Sequence, residues 1–192
     1  TRRSSDLAIF DISNTASNTG SLNLYSGDLD TSISGSAGTT NILGDVSIVN
    51  DNTITQQSVT IDTTASLTTK ANLVTASNGI SNAGVLNLNA GTLASNITGE
   101  GTTYILENVT SAKNITQGTL DIAKTSTLTT SGDVTVSTLT VNGDTTNKGS
   151  VVNTDDMIVS TTLTNSGIIQ NEGRLTVGGT NSLGLITDNT TT

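Results

Sequence analysis

An Asn-x-Gly phrase followed by alternating apolar residues recurs along this chain at a nearly fixed interval. It reads Asn18-Thr-Gly-Ser-Leu-Asn-Leu24, then Asn82-Ala-Gly-Val-Leu-Asn-Leu88, and in degraded form Asn147-Lys-Gly-Ser-Val151. The offset is 64 between the first two copies and 65 between the second and the third. A fixed period of this kind indicates stacked structural units and not one irregular core. The repeat therefore constrains the fold more strongly than any other feature of the sequence.

The match extends well beyond the phrase. The offset is 64 from Asn14 to Ile33, falls to 63 around Ile42, and falls to 61 around Val59 and Leu67. Small deletions of this kind belong in turns. We therefore divide the chain into an N-terminal strand at 1–13, two units of about 64 residues at 14–77 and 78–141, and a degenerate third unit at 142–192.

A finer period appears in the third unit. The segments Asn147–Asn153 and Asn165–Asn171 match at an offset of 18. A coil of about 18 to 21 residues is typical of a parallel β-helix, and on that basis each long unit is predicted to make three coils. Short alternating runs such as Leu22/Leu24 and Val59/Ile61 are predicted as strands with one face inward. Asn and Gly between them are predicted corner residues, because both tolerate positive φ.

Composition favours a long, thin core. Only 32% of the residues are hydrophobic and 2% aromatic, which is too little for a thick globular core, while Thr, Ser, Asn and Gly dominate the polar part. We predict an all-β, right-handed parallel β-helix of about nine or ten coils, continuous over 14–192, with outward Thr and Asn stacked in ladders. The complete absence of Pro favours an uninterrupted hydrogen-bonded ladder. Two tandem β-sandwich modules of about 64 residues are the alternative fold, although no Trp is present to form the usual sandwich core.

The two ends of the chain differ in character. The most apolar strand, Asp6–Ile12, precedes the clean repeat and is predicted to cap the first coil, with pairing to another copy as the alternative. The segment Thr187–Thr192 is polar, so we expect the last coil to continue into further sequence or to meet a neighbour. Because the chain begins at Thr1 without Met, we expect a processed product or a piece of a longer protein.

Charge and residue usage restrict the partners. The net charge is −9 and the seven cations are scattered, so no basic stripe is available for nucleic acid. No apolar stretch approaches the roughly 20 residues of a membrane span, so this segment is not expected to insert into a membrane. The absence of Cys excludes disulfides and thiolate metal sites.

We predict no catalytic, cofactor-binding or metal-binding residues. The chain has no His and no Cys, which excludes Ser/His/Asp triads, Cys/His pairs and His-based metal sites within it. Adjacent Asp155 and Asp156 are weighed as the acids of a polysaccharide-cleaving β-helix enzyme, but neighbouring residues of a strand point to opposite sides, so an acidic turn is favoured. Asp28, Asp30 and Asp51, together with the pair Asp155 and Asp156, are weighed as calcium ligands near turns. Thr92 replaces Asp28 in the second unit, so the ligands do not repeat.

Two further residue types carry little functional signal. Four Asn-x-Ser/Thr sequons occur at Asn96, Asn108, Asn114 and Asn189, as expected by chance in a chain this rich in Asn, Ser and Thr. The aromatics Phe10, Tyr25 and Tyr104 are too scattered to form a stacking platform, and packing at corners or coil ends is favoured for them.

Two stretches, 165–177 and 81–93, resemble the passenger domains of bacterial autotransporters and filamentous-haemagglutinin-type adhesins. Both contain the Asn-x-Gly phrase, as Asn165-Ser-Gly-Ile-Ile and Asn82-Ala-Gly-Val-Leu. The resemblance covers most of residues 14 to 178. It implies a β-helical adhesin, stalk or surface-layer component, secreted or held at the bacterial cell surface in association with the outer membrane. The implied partners are further coils of its own longer chain, identical chains, and a ligand on a host or cell surface.

The predicted function is therefore non-enzymatic: a rigid β-helical rod that displays or spaces a binding region or packs into a surface layer. The first alternative is a subunit that self-assembles into an extracellular filament. The second is a carbohydrate-active β-helix enzyme, which would lose its activity in Asp155→Ala. Because a scaffold signal repeats and a site signal does not, we expect the binding surface in the irregular turns after Asn142.

Overall fold

The computed structural model describes residues 16–142, 144–147, 150–153, 157–159, 163–165, 168–171, 174–177 and 185–187. These residues form strands and turns, with no helix among them. The strands are β1 Ala16–Ser17, β2 Ser21–Leu24, β3 Gly27–Leu29, β4 Ile33–Ser34, β5 Thr39–Ile42, β6 Asp45–Ile48, β7 Ile54–Gln56, β8 Ser58–Ile61, β9 Ser66–Lys70, β10 Val74–Ala76, β11 Ile80–Asn82, β12 Val85–Asn89, β13 Gly91–Leu93, β14 Ile97–Thr98, β15 Thr102–Ile105, β16 Val109–Ser111, β17 Ile115–Ile122, β18 Thr127–Thr130, β19 Val134–Val141, β20 Asp144–Asn147, β21 Ser150–Asn153, β22 Met157–Val159, β23 Leu163–Asn165, β24 Ile168–Asn171, β25 Leu175–Val177 and β26 Leu185–Thr187.

The strands stack on three faces, and every described pairing is parallel. Face 1 runs β2, β5, β8, β11, β14, β17, β19, β21, β24 and β26. Face 2 runs β3, β6, β9, β12, β15, β17, β19, β22 and β25, so β17 and β19 cross the corner between the two faces. Face 3 holds two stacks, β1–β4–β7–β10 and β13–β16–β18–β20–β23.

The fold is therefore an all-β parallel β-solenoid, as predicted, and the sandwich alternative is wrong because sandwiches are built from antiparallel strands. The continuous segment 16–142 contributes seven strands to face 1 and thus makes about seven turns, whereas nine or ten coils were predicted for the longer range 14–192. The described strands beyond it extend the same ladder. The right-handed sense of the coils stays a prediction.

The core is a set of inward columns running along the solenoid. On face 2, Leu67, Leu86 and Leu120 belong to one column, with at most 1% of each residue exposed, and Thr103 lies between the last two. One coil cannot bury such residues alone, so stacking supplies the apolar environment. Thr40 and Thr103, both fully buried, enter the columns at equivalent positions of the two units.

The outward positions form polar ladders, also as predicted. The amide nitrogen of Asn41 donates to Asn23 Oδ1 at 2.8 Å, and the Thr60 hydroxyl donates to Asn41 Oδ1 at 2.7 Å. These three side chains lie on successive strands of face 1. Amides and hydroxyls thus replace ion pairs on this surface, in line with a chain of which only 12% is charged.

The sequence unit and the coil do not share a period, so the prediction of three coils per unit is wrong. Leu22 is followed on face 1 by Thr40, Val59 and Ile80, so three coils are complete at Ile80, before the sequence repeat returns at Leu86. Leu86, the match of Leu22 in the second unit, lies on face 2 instead. Each unit therefore spans three coils and one further face, and the second unit is rotated by one face relative to the first. The alternation of inward apolar and outward polar residues is compatible with this rotation, because the strands of every face require the same alternation.

Face 3 changes register between β10 and β13, and the side chain of Ser95 spans the gap. The Ser95 hydroxyl accepts the N–H of Ala76 at 2.7 Å and donates to the carbonyl of Val74 at 3.1 Å. In a parallel ladder, the residue opposite Thr75 on the next strand would normally donate its N–H to the Val74 carbonyl and accept the Ala76 N–H with its own carbonyl. A single buried hydroxyl therefore replaces a backbone residue opposite Thr75.

We expect Ser95→Ala to lower the free energy of unfolding by about 1–3 kcal/mol, because it leaves the Ala76 N–H and the Val74 carbonyl buried without a partner. Denaturant unfolding and hydrogen exchange at the Ala76 amide measure the effect. Ser81→Ala, at an exposed outward position, is the control and should change stability by less than about 0.5 kcal/mol. Equal stability of the two variants would contradict the bridging role of Ser95.

Candidate functional site

The most elaborate polar arrangement in the described chain is a buried cluster of side chains that joins three successive coils. It consists of Asn82, Thr103 and Gln117, and we call it the second clasp. The Gln117 Oε1 accepts from Asn82 Nδ2 at 2.6 Å and from Thr103 Oγ1 at 3.1 Å. The Gln117 Nε2 donates to the carbonyls of Gly99 and Thr116, both at 3.0 Å. Asn82 also donates to the Thr102 carbonyl at 3.0 Å.

The first unit repeats the bonds of the asparagine and the glutamine, which we call the first clasp: Asn18 with Gln56. Among the described residues, the buried hydroxyl of Thr40, the match of Thr103, has no hydrogen-bond partner. Asn18 Nδ2 donates to Gln56 Oε1 at 2.8 Å and to the Thr39 carbonyl at 3.2 Å. The Gln56 Nε2 donates to the carbonyls of Gly35 and Thr55, at 3.2 and 2.9 Å. Every one of these residues is the sequence match of its counterpart in the second clasp. The duplicated unit therefore repeats the asparagine and glutamine bonds of this network, and only the second unit adds the threonine bond.

The clasps change the interpretation of the Asn-x-Gly phrase. Asn82 is fully buried at the inward end of β11, and its amide is the donor of the clasp. Among the described residues other than Gly, positive φ occurs at Asn50 and Asp51 and not at Asn18 or Asn82. The explanation of the phrase Asn by tolerance of positive φ is therefore wrong. The recurring Ile-Thr-Gln at Ile54–Gln56 and Ile115–Gln117 was the signal available in the sequence, since it places Gln at an inward position in both units.

The acidic residues weighed as calcium ligands differ in their surroundings. Asp30 Oδ1 accepts from Asn50 Nδ2 at 2.7 Å and from Asn52 Nδ2 at 3.3 Å. Asp51 forms an ion pair with Lys70, and Asp28 is exposed on β3. Within the described ranges, no three acidic residues lie close enough to hold a metal ion. Asp155 and Asp156 lie outside the described residues.

Two of the sequon asparagines build the corner between faces 3 and 1. Asn96 Oδ1 accepts the N–H of Asn114 at 3.0 Å, and Asn114 Oδ1 accepts the N–H of Asp133 at 3.1 Å. The carbonyls of the same three residues accept the first N–H of the face-1 strand on the preceding coil. These asparagines thus have a structural role in the ladder. Asn108 is exposed, and Asn189 lies outside the described residues.

Tyr104 lies in a surface patch that the sequence did not predict. The Tyr104 patch consists of Asn87, Tyr104, Leu106, Glu107 and Asp121. Asn87, Tyr104 and Asp121 are register partners on three successive strands of face 2. Tyr104 and Leu106 are 37% and 39% exposed, whereas large apolar side chains elsewhere in the described chain are mostly buried. Tyr25, 60% exposed, lies near the start of the solenoid, and Phe10 lies outside the described residues.

Asp121 is an ionisable group of this patch whose surroundings shift its pKa. Burial raises the pKa of the Asp121 carboxyl above its ordinary value, and a hydrogen bond with the Asn142 side chain offsets part of that rise. Desolvation penalises the charged form of the carboxyl. A cation placed beside Asp121 would therefore relieve a cost already present in the fold.

The remaining sequence-based predictions fall on residues that are not described. They are the cap at Asp6–Ile12, most of the turns after Asn142, and the polar end beyond Thr187. The part of the chain that is described contains no helix of the length and hydropathy required to cross a membrane. Comparison of the chain with protein-family models, with curated proteins and with solved structures gives no match.

Proposed function

We propose that this chain is a non-enzymatic structural or adhesive protein, secreted or held at the bacterial cell surface, that acts as a rigid rod. In this role it displays or spaces a binding region or contributes to a surface layer. The observation that carries the proposal is the parallel ladder of face 1, which continues strand by strand from β2 to β26. Ten strands at the usual spacing correspond to roughly 45 Å of rod.

The interior supports a mechanical role. The two clasps cross-link coils through buried and partly buried side chains in addition to the backbone ladder, so neighbouring coils cannot separate without breaking both sets of bonds. Hydrogen bonds of this kind are costly to break when their partners remain buried. A structure built in this way resists bending and local opening, which is what a spacer requires.

The composition of the outer surface supports an extracellular role. Described outward positions are mainly Thr, Ser and Asn, paired into ladders, and the net charge of −9 opposes non-specific association. The resemblance to autotransporter passengers and filamentous-haemagglutinin-type adhesins adds the cell-surface location to the proposal.

Small-angle X-ray scattering of the purified chain tests the rod. We expect a constant cross-section and a maximal dimension of at least about 45 Å, unchanged with concentration. A compact, nearly spherical particle would contradict the proposal. A maximal dimension that grows with concentration in multiples of the rod would favour the filament-subunit alternative instead.

A further inference from the structure

The inward residues of the two units are the same or similar at matching positions, so differences between the units at outward positions are not required by the core. In the first unit, Asn23, Asn41 and Thr60 form a closed hydrogen-bonded ladder. Their sequence matches in the second unit are Asn87, Tyr104 and Asp121, which are again register partners on successive strands. Asn41 and Thr60 are thus replaced by an aromatic ring and a carboxylate, while the fold beneath them is unchanged.

The neighbouring positions diverge in the same direction. Leu106, two residues beyond Tyr104 on the same coil, is 39% exposed, whereas its match Leu43 in the first unit is half-buried, and Glu107 takes the position of Gly44. Glu107 is itself exposed, and its Oε2 accepts the N–H of Ala90 at 3.2 Å. At these matched positions the second unit therefore gains one ring and two carboxylates, and it exposes more of a leucine that both units share.

The dimensions of the patch follow from the ladder. Tyr104 and Asp121 lie on adjacent strands, so their Cα atoms are about 4.8 Å apart, and Leu106 lies roughly 7 Å from Tyr104 along the strand. A cation above the Tyr104 ring would therefore also lie within ion-pair reach of the Asp121 carboxylate. The face of an aromatic ring attracts a cation, and the attraction increases when water is partly excluded.

Charge selects the class of partner. Two carboxylates and the negative face of a ring repel anions, and the desolvated Asp121 carboxylate gains most from a positive neighbour. Lys124, three residues beyond Asp121, is the cation nearest in sequence and is exposed at the corner. The ion pair found in the described part of the chain joins a different lysine, Lys70, to Asp51.

We propose that the Tyr104 patch binds an arginine or lysine side chain of an extended peptide. The cationic group lies over the Tyr104 ring and pairs with Asp121, the aliphatic part of the same side chain contacts Leu106, and Asn87 hydrogen-bonds the peptide backbone. This inference rests on the proposed function, because the patch would be the binding region that the rod displays.

Titration of the isotope-labelled chain with an acetylated and amidated Gly-Arg-Gly-Arg-Gly peptide tests the site by two-dimensional NMR. We expect saturable shifts centred on Tyr104 and Asp121, and binding that weakens as salt is added. Tyr104→Asn and Asp121→Thr restore the residues of the first unit, so both should fold, and each should raise Kd about tenfold. Gln in place of Arg in the peptide should abolish the shifts.

Asp28→Thr is the matched control. It introduces threonine, the residue found at the matching position Thr92 of the second unit, and it removes an exposed carboxylate from the outward column of face 2 that also contains Tyr104. It should leave Kd within about twofold of the wild type. Lys124→Ala should leave binding unchanged or tighten it. Loss of binding in either control, or equal binding in Tyr104→Asn, would overturn the site.

The outcomes separate the site from the rod. A chain that scatters as a rod but shows no shifts with the arginine peptide overturns the site and leaves the proposed function standing. Shifts at the same residues with an uncharged oligosaccharide and none with the peptide would also overturn the peptide proposal. Binding in a chain that scatters as a compact particle would retain the site and remove the rod.

Discussion

Gln117→Ala is expected to lower the free energy of unfolding by about 3–5 kcal/mol, because one substitution removes the centre of the second clasp. Gln117 is 4% exposed and takes part in four hydrogen bonds. Its loss leaves the buried Thr103 hydroxyl without this partner, removes the donor to the partly buried Gly99 carbonyl, and takes one of two acceptors from Asn82. Denaturant unfolding followed by circular dichroism measures the change, and hydrogen exchange locates it in the coils that the clasp joins.

Two further variants separate the clasp from simple packing. Gln117→Leu keeps most of the buried volume and should lose nearly as much stability as Gln117→Ala, because the same polar groups are orphaned. Gln57→Ala, next to the clasp residue Gln56 but exposed, should stay within about 0.5 kcal/mol of the wild type. If Gln117→Leu were as stable as the wild type, the clasp would not be the source of the effect.

Gly84→Ala is expected to cost about 3 kcal/mol or more and to impair folding of the second unit. A Cβ at Gly84 would overlap the carbonyl oxygens of Asp62 and Ala65 on the coil before it. Both atoms belong to backbone, so relief requires neighbouring coils to move apart, and Val85 would lose its ladder bond to Ala65. Thermal unfolding and the yield of folded protein measure the loss.

The first copy of the phrase provides the matched control. Gly20 occupies the position of Gly84, but among the residues that the structure describes the nearest heavy atom to an added Cβ is Asn18 Oδ1 at 3.8 Å. Neither glycine has positive φ, so backbone conformation does not distinguish them. We expect Gly20→Ala to range from no change to about 1 kcal/mol more stable. Equal losses at Gly20 and Gly84 would show that close approach of the coils is not the reason for this glycine.

The local pattern predicted the strands well. The alternations at Val59/Ile61, Leu86/Leu88 and Leu120/Ile122 all become strands with those residues buried. Period-2 alternation is a property of neighbouring residues, so it can be read without knowing what lies above or below. The outward ladder of Asn23, Asn41 and Thr60 was expected for the same reason, since every second residue faces solvent.

The relation between sequence repeat and coil could not be predicted in this way. Which strands become neighbours depends on the summed length of all turns between them, and this length varies from coil to coil. The chain between the face-1 partners Ile80 and Ile97, for example, is shorter than the chain between Val59 and Ile80. Over a whole unit these differences in coil length add up, so that matching strands of the two units lie on different faces. The bridging role of Ser95 could not be predicted for the same reason. Its partners Val74 and Ala76 belong to the preceding coil, and only the register change on face 3 brings them into contact with Ser95.

The sequence by itself determined the class of fold, the thin apolar core and the absence of His and Cys chemistry, since these follow from composition and short-range periodicity. Only the tertiary structure decided what the Asn-x-Gly phrase does. Its asparagine reaches across coils to a glutamine 35 or 38 residues away, and in the second unit its glycine admits the backbone of the preceding coil. The Tyr104 patch was also decided by stacking, because Asn87, Tyr104 and Asp121 become neighbours only when three coils lie in register.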